Sequence, residues 1–214
     1  PAMEIQASIY IHNPYTDNNK NTKISLTPKK STHKIRGMTL VDPLCLVTLS
    51  APFLSGSMAL LSDAVELLSN AGISVALITH SAVDNALCIA INQTLLKETL
   101  GCLEQRYEAS LLSKTASIKI KKDCAMLTVV GEGMIGEVGC SANLLGCLAN
   151  ANINVLALNQ GASERSISVL IDNKEALKAL NVVHSGFYLS KRQLQIALLG
   201  PGNVGKAFLK QLMD

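Results

Sequence analysis

Short apolar segments alternate along the chain with amphipathic segments, and the whole order occurs twice. Leu44–Ser50 and Ala125–Val130 are dense in aliphatic residues, which is typical of strands. After each comes a glycine-bearing loop and then a segment with apolar residues at helical spacing, such as Leu144, Leu145 and Leu148. Two more strands and a second helix follow. The pattern therefore predicts two successive βαββα segments.

The remaining predicted elements match between the two segments. The second strands are Ser74–Thr79 and Asn154–Leu158, the third strands are Ala86–Ile91 and Ser166–Ile171, and the last helices are Leu95–Tyr107 and Lys174–Val183. The first helices end at Ala71-Gly72 and Ala151-Asn152, since Gly and Asn tolerate a left-handed cap. A further strand precedes each segment, Lys34–Leu40 and Ala116–Lys121. One more strand per segment completes βαββαβ, the ferredoxin-like α+β unit.

The duplication is visible in the residues themselves. Leu46–Asn92, the first copy, aligns without a gap on Met126–Asp172, the second copy, at an offset of 80 residues. Identical pairs include Thr48/Thr128, Gly56/Gly136, Leu68/Leu148, Asn70/Asn150 and Ile73/Ile153. The period is too long for a solenoid repeat of ~20–50 residues. We therefore expect a duplicated small domain.

Both ends of the chain depart from this pattern. We expect Pro1–Ile11 to be the end of a helix and a strand, Ser8–Ile11, and Asn13–Lys30 to be a polar loop or linker. Leu194–Leu199 reads as a strand that runs into a G-x-G-x-x-G motif and a helix, which is typical of a dinucleotide site. The motif glycines are Gly200, Gly202 and Gly205.

That dinucleotide site is predicted to be incomplete. The acidic ribose ligand expected ~20 residues further on would lie beyond Asp214, so we expect no cofactor to bind this part of the protein. A free-standing oxidoreductase built on Gly200–Gly205 is disfavoured for the same reason. We interpret the chain as a piece of a longer protein, since it opens Pro1-Ala2-Met3.

Composition and charge exclude several partner classes. Apolar residues make up 48% of the chain and aromatic residues 3%, so we expect a folded protein with an aliphatic core. The net charge is +3, and its densest part, Lys119, Lys121 and Lys122, alternates with Ile118 and Ile120. This alternation favours a solvated edge strand over a nucleic-acid surface. No apolar run reaches the ~18 residues of a membrane span.

The cysteines and histidines predict no metal site. Six cysteines occur without a C-x-x-C pair, and the four histidines are scattered. We interpret the cysteines as free, mostly buried thiols in a reducing, cytoplasmic compartment. They are Cys45, Cys88, Cys102, Cys124, Cys140 and Cys147.

A candidate ligand site lies between the first strand and first helix of the second copy. Four glycines crowd into this loop: Gly131, Gly133, Gly136 and Gly139. Glycine lets a backbone approach a ligand closely, and a helix start offers free N–H groups to a carboxylate. Asn154 and Gln160 supply side-chain amides for the rest of an amino acid. The alternative interpretation is a flexible turn.

No catalytic constellation is predicted. His80 and Ser81 are adjacent, but no G-x-S-x-G elbow accompanies them. Glu164 beside Arg165 favours an ion pair within a turn over an acid/base pair. We therefore expect no catalytic residue in this chain.

Three segments of the second copy carry a resemblance to a known family. Val130–Met134, Ala151–Val155 and Asn159–Val169 resemble the second ACT domain of aspartate kinases. The last of these is most similar to the bifunctional aspartate kinase–homoserine dehydrogenases. Pro1–Pro14 resembles the end of the kinase domain, and Ile196–Gly205 the opening strand and phosphate loop of the dehydrogenase.

The resemblance implies a domain organisation. It gives the end of a kinase domain and a linker at 1–31, tandem ACT domains at 32–112 and 113–190, and the start of an NAD(P)-binding domain at 191–214. The parent protein would use ATP with Mg and NAD(P) at sites outside this chain. The resemblance also suggests that Lys34–Leu40 completes the sheet of the second copy, a pairing that the pattern alone leaves open.

The resemblance further implies an amino-acid effector, threonine with lysine as the alternative, bound at an interface between ACT domains of a homodimer or larger homo-oligomer. The implied effector-binding residues are Gly131, Gly133, Met134, Gly136, Gly139, Asn152, Asn154, Gln160 and His80. The first copy departs from the family: His80 replaces a glutamine, and Ala51–Gly56 replaces the glycine-rich loop. A structural dimerisation or linker module with decayed effector sites is therefore the rival hypothesis.

Overall fold

The structure, a computed structural model, describes residues 7–12, 22–24, 34–51 and 57–189, together with residues 202, 206 and 210. The predicted strand Leu194–Leu199 lies outside the described residues, as do Gly200 and Gly205. The same holds for the helix end predicted near Pro1 and for most of the first-copy loop.

Near the start of the chain, β1 (Ile9–Ile11) pairs antiparallel with β2 (Thr22–Ile24). The predicted strand at Ser8–Ile11 is therefore confirmed. The prediction of an uninterrupted loop over Asn13–Lys30 is wrong at β2. This polar segment forms a strand because it hydrogen-bonds to β1, a tertiary contact that its own sequence does not reveal.

The main body follows the predicted order of elements. It comprises β3 (Gly37–Ser50), α1 (Ser57–Asn70), β4 (Val75–Ser81), β5 (Ala86–Asn92), α2 (Leu96–Arg106), α3 (Glu108–Leu112), β6 (Ser117–Val130), α4 (Cys140–Asn150), β7 (Ala157–Gln160), β8 (Ser166–Asp172) and α5 (Ala176–His184). A π-helical turn, Ser185–Leu189, extends α5. The strand predicted at Asn154–Leu158 begins only at Ala157, so Asn154 precedes it.

Six strands form one antiparallel sheet in the order β4-β5-β3-β6-β8-β7. The two strands predicted around Asp42 are a single strand, β3, with register shifts between Val41 and Leu46. Its first part, Gly37–Val41, pairs with Met126–Val130, and its second part pairs with β5 and with Ser117–Lys121. The strand ahead of the first copy thus completes the sheet of the second copy, as the resemblance suggested.

This exchange defines two units. The first unit contains Leu44–Ser50, α1, β4, β5, α2, α3 and Ser117–Lys121; the second unit contains Gly37–Val41, Cys124–Val130, α4, β7, β8 and α5. Each unit has four antiparallel strand segments and two main helices.

Three apolar clusters hold the layers together. One lies between the helices and strands of the first unit, and a second occupies the same place in the second unit. Along β3, Cys45, Val47 and Leu49 face the first-unit cluster, while Leu44 and Leu46 face a third cluster on the opposite side of the sheet. The edge strands β4 and β7 touch, so the sheet folds back on itself. Coverage on both faces explains why Leu44–Leu49 is almost continuously apolar.

The first helices of the two units end in the same way. Gly72 and Asn152 have φ values of 69° and 56°. The next amides, of Ile73 and Ile153, each donate to the carbonyl five residues earlier, at 2.9 Å. These are Schellman caps, and the predicted helix ends are confirmed.

The lysine-rich part of β6 forms an edge. Ser117–Lys121 pairs with β3 on one side, whereas β8 pairs only from Cys124 onward. Lys119 and Lys122 are exposed, and Lys121 pairs with Asp172 at 3.1 Å. The predicted solvated edge is therefore confirmed, and its charges discourage pairing with a further strand.

All six cysteines are free thiols, and Cys45, Cys124 and Cys140 are buried. Over the part of the chain that the structure describes, no helix is long and apolar enough to cross a membrane. Within those same residues, no three His, Cys, Asp or Glu side chains lie together as metal ligands would.

Candidate functional site

The loop between β6 and α4 has a left-handed backbone conformation at two positions, and glycine adopts this conformation with the least strain. After a short 3₁₀ turn at Glu132–Met134, Gly136 and Gly139 have φ values of 66° and 89°, where a side chain would be strained. Gly139 directly precedes α4, whose N-cap position has no side-chain hydrogen bond. The loop therefore presents free helix-start N–H groups, which attract negative charge.

A pocket of about 340 Å³ opens between this loop, the first turn of α4 and the end of β7. Its volume lies near the lower end of the range for small-molecule sites, roughly 300–1,000 Å³. The lining residues are Met134, Gly136, Glu137, Val138, Gly139, Cys140, Ser141, Ala142, Gln160 and Glu164. The pocket thus brings together four of the nine effector residues predicted from sequence: Met134, Gly136, Gly139 and Gln160.

The other predicted residues lie elsewhere. Gly131 and Gly133 belong to the loop but do not line the pocket. Asn152 forms the α4 cap, and Asn154 is exposed ahead of β7. His80 lies on β4 in the first unit.

Gln160 is held in place by the start of α4. The Ser141 hydroxyl donates to Gln160 Oε1 at 2.6 Å. Because the amide oxygen accepts this bond, the NH₂ group is the end that can donate to a ligand. The pairing orients a hydrogen-bond donor beside the glycine loop.

Glu164 is a pocket residue that the sequence prediction missed. Its Oε2 accepts a hydrogen bond from the Gly136 amide, and its backbone has a φ of 53°. The predicted ion pair with Arg165 is wrong, because Arg165 Nε contacts Glu132 Oε1 at 3.2 Å instead. The sequence did offer one indication of this role: Glu164 lies in the turn after Gln160, within Asn159–Val169, the segment that most resembles the bifunctional enzymes. The left-handed backbone that turns its side chain to the loop is not readable from the sequence.

The charges around the pocket are unbalanced. Its lining contains two carboxylates, Glu137 and Glu164, and no Lys or Arg. Glu137 is paired with Lys34, and this hydrogen bond raises the pKa of the Lys34 ammonium. Burial raises the pKa of the Cys140 thiol, which keeps it neutral. The pocket therefore favours a ligand that carries a positive group.

The equivalent region of the first unit is built differently. At the offset of 80, Gln160 corresponds to His80 and Ser141 to Leu61. Helix α1 begins at Ser57, so positions that match Glu137–Gly139 are helical rather than looped. Among the described residues, His80 Nε2 is buried without a hydrogen-bond partner.

A second pocket of about 390 Å³ lies between α1, β4 and Asn159. Its lining is largely apolar, with Ser69 and Asn159 as its polar side chains, and it contains no charged residue. It lacks the groups that would hold a charged amino acid, so the loop pocket is the stronger candidate.

Comparison with known proteins identifies the second unit. Residues 127–187 match the family model described as ACT domain. Bifunctional aspartokinase/homoserine dehydrogenase 2 (chloroplastic) of Arabidopsis thaliana is 30% identical over 220 residues, which cover 100% of this chain and 24% of the relative. The Haemophilus influenzae bifunctional enzyme is 31% identical over 187 residues, 86% of this chain and 23% of the relative. The chain thus spans about a quarter of the length of these relatives.

Solved structures share the fold. The Clostridium acetobutylicum aspartate kinase superposes with a TM-score of 0.73 at 20% identity, covering 87% of this chain and 43% of that one. The regulatory subunit of aspartate kinase from Thermus flavus gives a TM-score of 0.58 at 22% identity, covering 72% and 98%. Residues 127–187 therefore match the ACT domain family, and the whole chain is similar to a stretch of the bifunctional aspartokinase/homoserine dehydrogenases.

Proposed function

We propose that this chain is the regulatory module of a bifunctional aspartokinase/homoserine dehydrogenase, and that the loop pocket of its second unit binds an amino-acid effector. The observation that carries the proposal is the pocket itself, where the glycine loop, the Gln160 amide and the Glu164 carboxylate meet. In this proposal both units are ACT domains, at 32–112 and 113–190, between the end of a kinase domain and the start of a dehydrogenase domain.

The pocket suits the two charged ends of an amino acid. The α-carboxylate would accept from the N–H groups at the start of α4. The α-ammonium would be drawn to Glu164. The Gly136 amide donates to Oε2 of this carboxylate, so the ammonium would bind Oε1. Gln160 would donate to the carboxylate or to a side-chain oxygen, and Val138 and Ala142 offer apolar contact.

Charge narrows the effector class. A ligand with a second carboxylate would face Glu164, whose charge no Lys or Arg of the lining offsets, whereas Glu137 is already paired with Lys34. Aspartate and glutamate are therefore disfavoured, and amino acids with neutral or basic side chains are favoured. Among these we propose threonine, with lysine as the alternative, on the strength of the family relationship.

Regulation requires two arrangements of the protein with different affinities for the effector. We propose that threonine stabilises one arrangement of a homodimer, or larger homo-oligomer, built through the ACT domains. The flanking kinase, which would use ATP with Mg, and the NAD(P)-dependent dehydrogenase would respond to that arrangement. A cytoplasmic location remains part of the proposal.

Thermal unfolding with and without ligand tests the proposal. Threonine at ~100 times its dissociation constant adds about 2.7 kcal/mol if it binds only the folded state, which is a shift of roughly 5–10 °C for a chain of this size. Lysine tests the alternative effector, and methionine serves as a control. The matched variants are Gln160→Ala, in the pocket, and Asn154→Ala, outside it. We expect only Gln160→Ala to remove the shift; an unchanged shift in that variant removes Gln160 from the site.

A structural dimerisation or linker module is the second candidate function. Two features of the first unit favour it. Helix α1 begins at Ser57, which corresponds to Glu137 in the second-unit loop at the offset of 80, and His80 replaces the glutamine. This candidate predicts a folded dimer by light scattering whose melting temperature responds to none of the three amino acids.

A further inference from the structure

The segment Lys34–Arg36, here called the strap, precedes the first unit in the sequence but packs on the second. Ile35 is 2% exposed and belongs to the second-unit core. The Arg36 amide donates to the Val130 carbonyl at 2.8 Å, and the Tyr188 hydroxyl donates to the Ile35 carbonyl at 3.2 Å. The strap is therefore fixed between the end of β6 and the turn after α5.

Contact with the strap explains why the pocket loop begins with glycine. A Cβ on Gly131 would lie 2.3 Å from the Lys34 carbonyl oxygen and 2.8 Å from Ile35 Cα. The φ of Gly131 is 178°, extended backbone that any residue adopts. The need for glycine therefore comes from the backbone of the strap and not from the conformation of the loop.

A second contact reaches the pocket wall. Lys34 Nζ forms an ion pair with Glu137, a residue 103 positions away that lines the pocket. The strap thus touches the loop at its start, through Gly131, and beyond its middle, through Glu137. It also neutralises one of the two carboxylates of the pocket.

We propose that the strap positions the pocket loop, so that effector binding and strap docking stabilise each other. This inference rests on the proposed effector site and adds the route by which its occupancy reaches the upstream chain, which continues directly into the strap. Coupling of this kind is reciprocal: an effector that orders the loop holds the strap, and displacement of the strap weakens effector binding.

Hydrogen exchange measured on the full 214-residue chain, with and without saturating threonine, tests the coupling. We expect threonine to slow amide exchange at Ile35–Gly37 by at least about fivefold, the lower end of typical coupling between sites. Glu108–Leu112 in the first unit serves as the internal control and should not change. Threonine binding is measured in parallel by calorimetry.

Two variants separate the strap contacts from the fold. Gly131→Ala places a methyl group against the strap backbone, whereas Gly37→Ala, its matched control, meets only Val130 Cγ2 at an ordinary 3.6 Å. We expect Gly131→Ala to weaken threonine binding and to abolish the protection of the strap, and Gly37→Ala to retain both.

The ion pair is tested separately. Lys34→Met should weaken threonine binding by up to about fivefold, as expected for an exposed pair, and should reduce strap protection. Lys34→Arg should restore both. The double variant Lys34→Met/Glu137→Gln should be no weaker than Lys34→Met, because both changes remove one interaction.

The outcomes distinguish the strap from the effector site. If threonine binds the unaltered chain but exchange at Ile35–Gly37 is unchanged, the strap proposal is overturned and the effector site stands. If no amino acid binds the unaltered chain, both are overturned. If Gly131→Ala does not fold, Lys34→Met against Lys34→Arg decides: equal strap protection by threonine in these two variants overturns the proposal.

Discussion

The two units share a framework but use their polar residues differently. In the first unit, Asp63 on α1 receives hydrogen bonds from Arg106 Nη2 and from the Tyr107 hydroxyl, each at 2.6 Å. These contacts tie α1 to the end of α2. Helices α1 and α2 of the first unit are therefore held together by an ion pair and a charge-assisted hydrogen bond.

At the offset of 80, the second unit has Asn143 and Gly186 in place of Asp63 and Arg106. Asn143 Nδ2 donates to the Gly186 carbonyl at 3.3 Å, and the Cys147 sulfur packs where a Gly186 side chain would lie. The second unit joins its helices by close packing, and Glu132, Glu137 and Glu164 lie at or beside the glycine loop. The comparison shows that the same framework carries a charged cluster between the helices of the first unit and a pocket with charged lining residues in the second.

Among variants at the helix contacts that differ between the two units, the largest stability effect is expected where the second unit relies on close packing. Gly186→Ala places a Cβ 2.2 Å from Cys147 Sγ, and overpacking of this kind costs about 1–3 kcal/mol. The matched control is Gly101→Ala in α2, where a Cβ meets nothing within 4 Å; it should stabilise by about 0.5–1 kcal/mol. Urea unfolding gives both values. Restored stability in Gly186→Ala/Cys147→Ala would confirm the sulfur contact, and its absence would contradict it.

A smaller effect is expected where the first unit relies on charge. The Arg106 guanidinium, together with the Tyr107 hydroxyl, lowers the pKa of Asp63 below its ordinary 3.8. A carboxyl whose pKa is lowered by folding stabilises the protein above its unfolded pKa, and that contribution is lost as the pH falls below it. Asp63→Asn should therefore destabilise the protein by about 1 kcal/mol near neutral pH, a value discounted for partial exposure.

The pH dependence provides the control for this variant. Urea midpoints of the unaltered chain and of Asp63→Asn should differ at about pH 7, and the difference should shrink as the pH falls below 3.8, the ordinary pKa of Asp63, towards its lowered pKa in the folded chain. A difference that stays constant as the pH falls through this range would show that Asp63 stabilises the first unit by something other than its charge.

The smallest effect on stability is expected at the lysine-rich edge of β6, Ser117–Lys121. Lys121→Met removes the ion pair with Asp172, which lowers the pKa of that carboxyl. The pair is a single, partly exposed contact that salt screens, whereas Asp63 accepts hydrogen bonds from both Arg106 and Tyr107. The shift in urea midpoint should therefore be smaller than that of Asp63→Asn and should disappear at high salt. A larger, salt-insensitive shift would mean that the stem of Lys121 packs the edge.

The duplication and the order of elements are predictable because each copy carries its own apolar alternation and the two align without a gap. The continuity of β3 is not, because Pro43 interrupts the pattern. Proline lacks the backbone donor, but Pro43 lies within the register shift between Val41 and Leu44, where that donor is not needed. The cross-strand partners on either side carry the strand past it.

The candidate site was predictable only in part, because its contacts are tertiary. The crowded glycines marked the loop, but Gly131 proves to accommodate the strap. The side chain of Glu164 is directed to the loop by a left-handed backbone. Asn152 was predicted from sequence both as a helix cap and as a ligand residue; the structure places it at the cap, and it does not line the pocket.

Calorimetric titration of the chain with threonine tests the central claim, that the second unit holds the effector site and the first does not. The account predicts one threonine per chain, with binding lost in Gln160→Ala and unchanged in His80→Ala. Two threonines per chain, or binding that survives Gln160→Ala and disappears in His80→Ala, would contradict it.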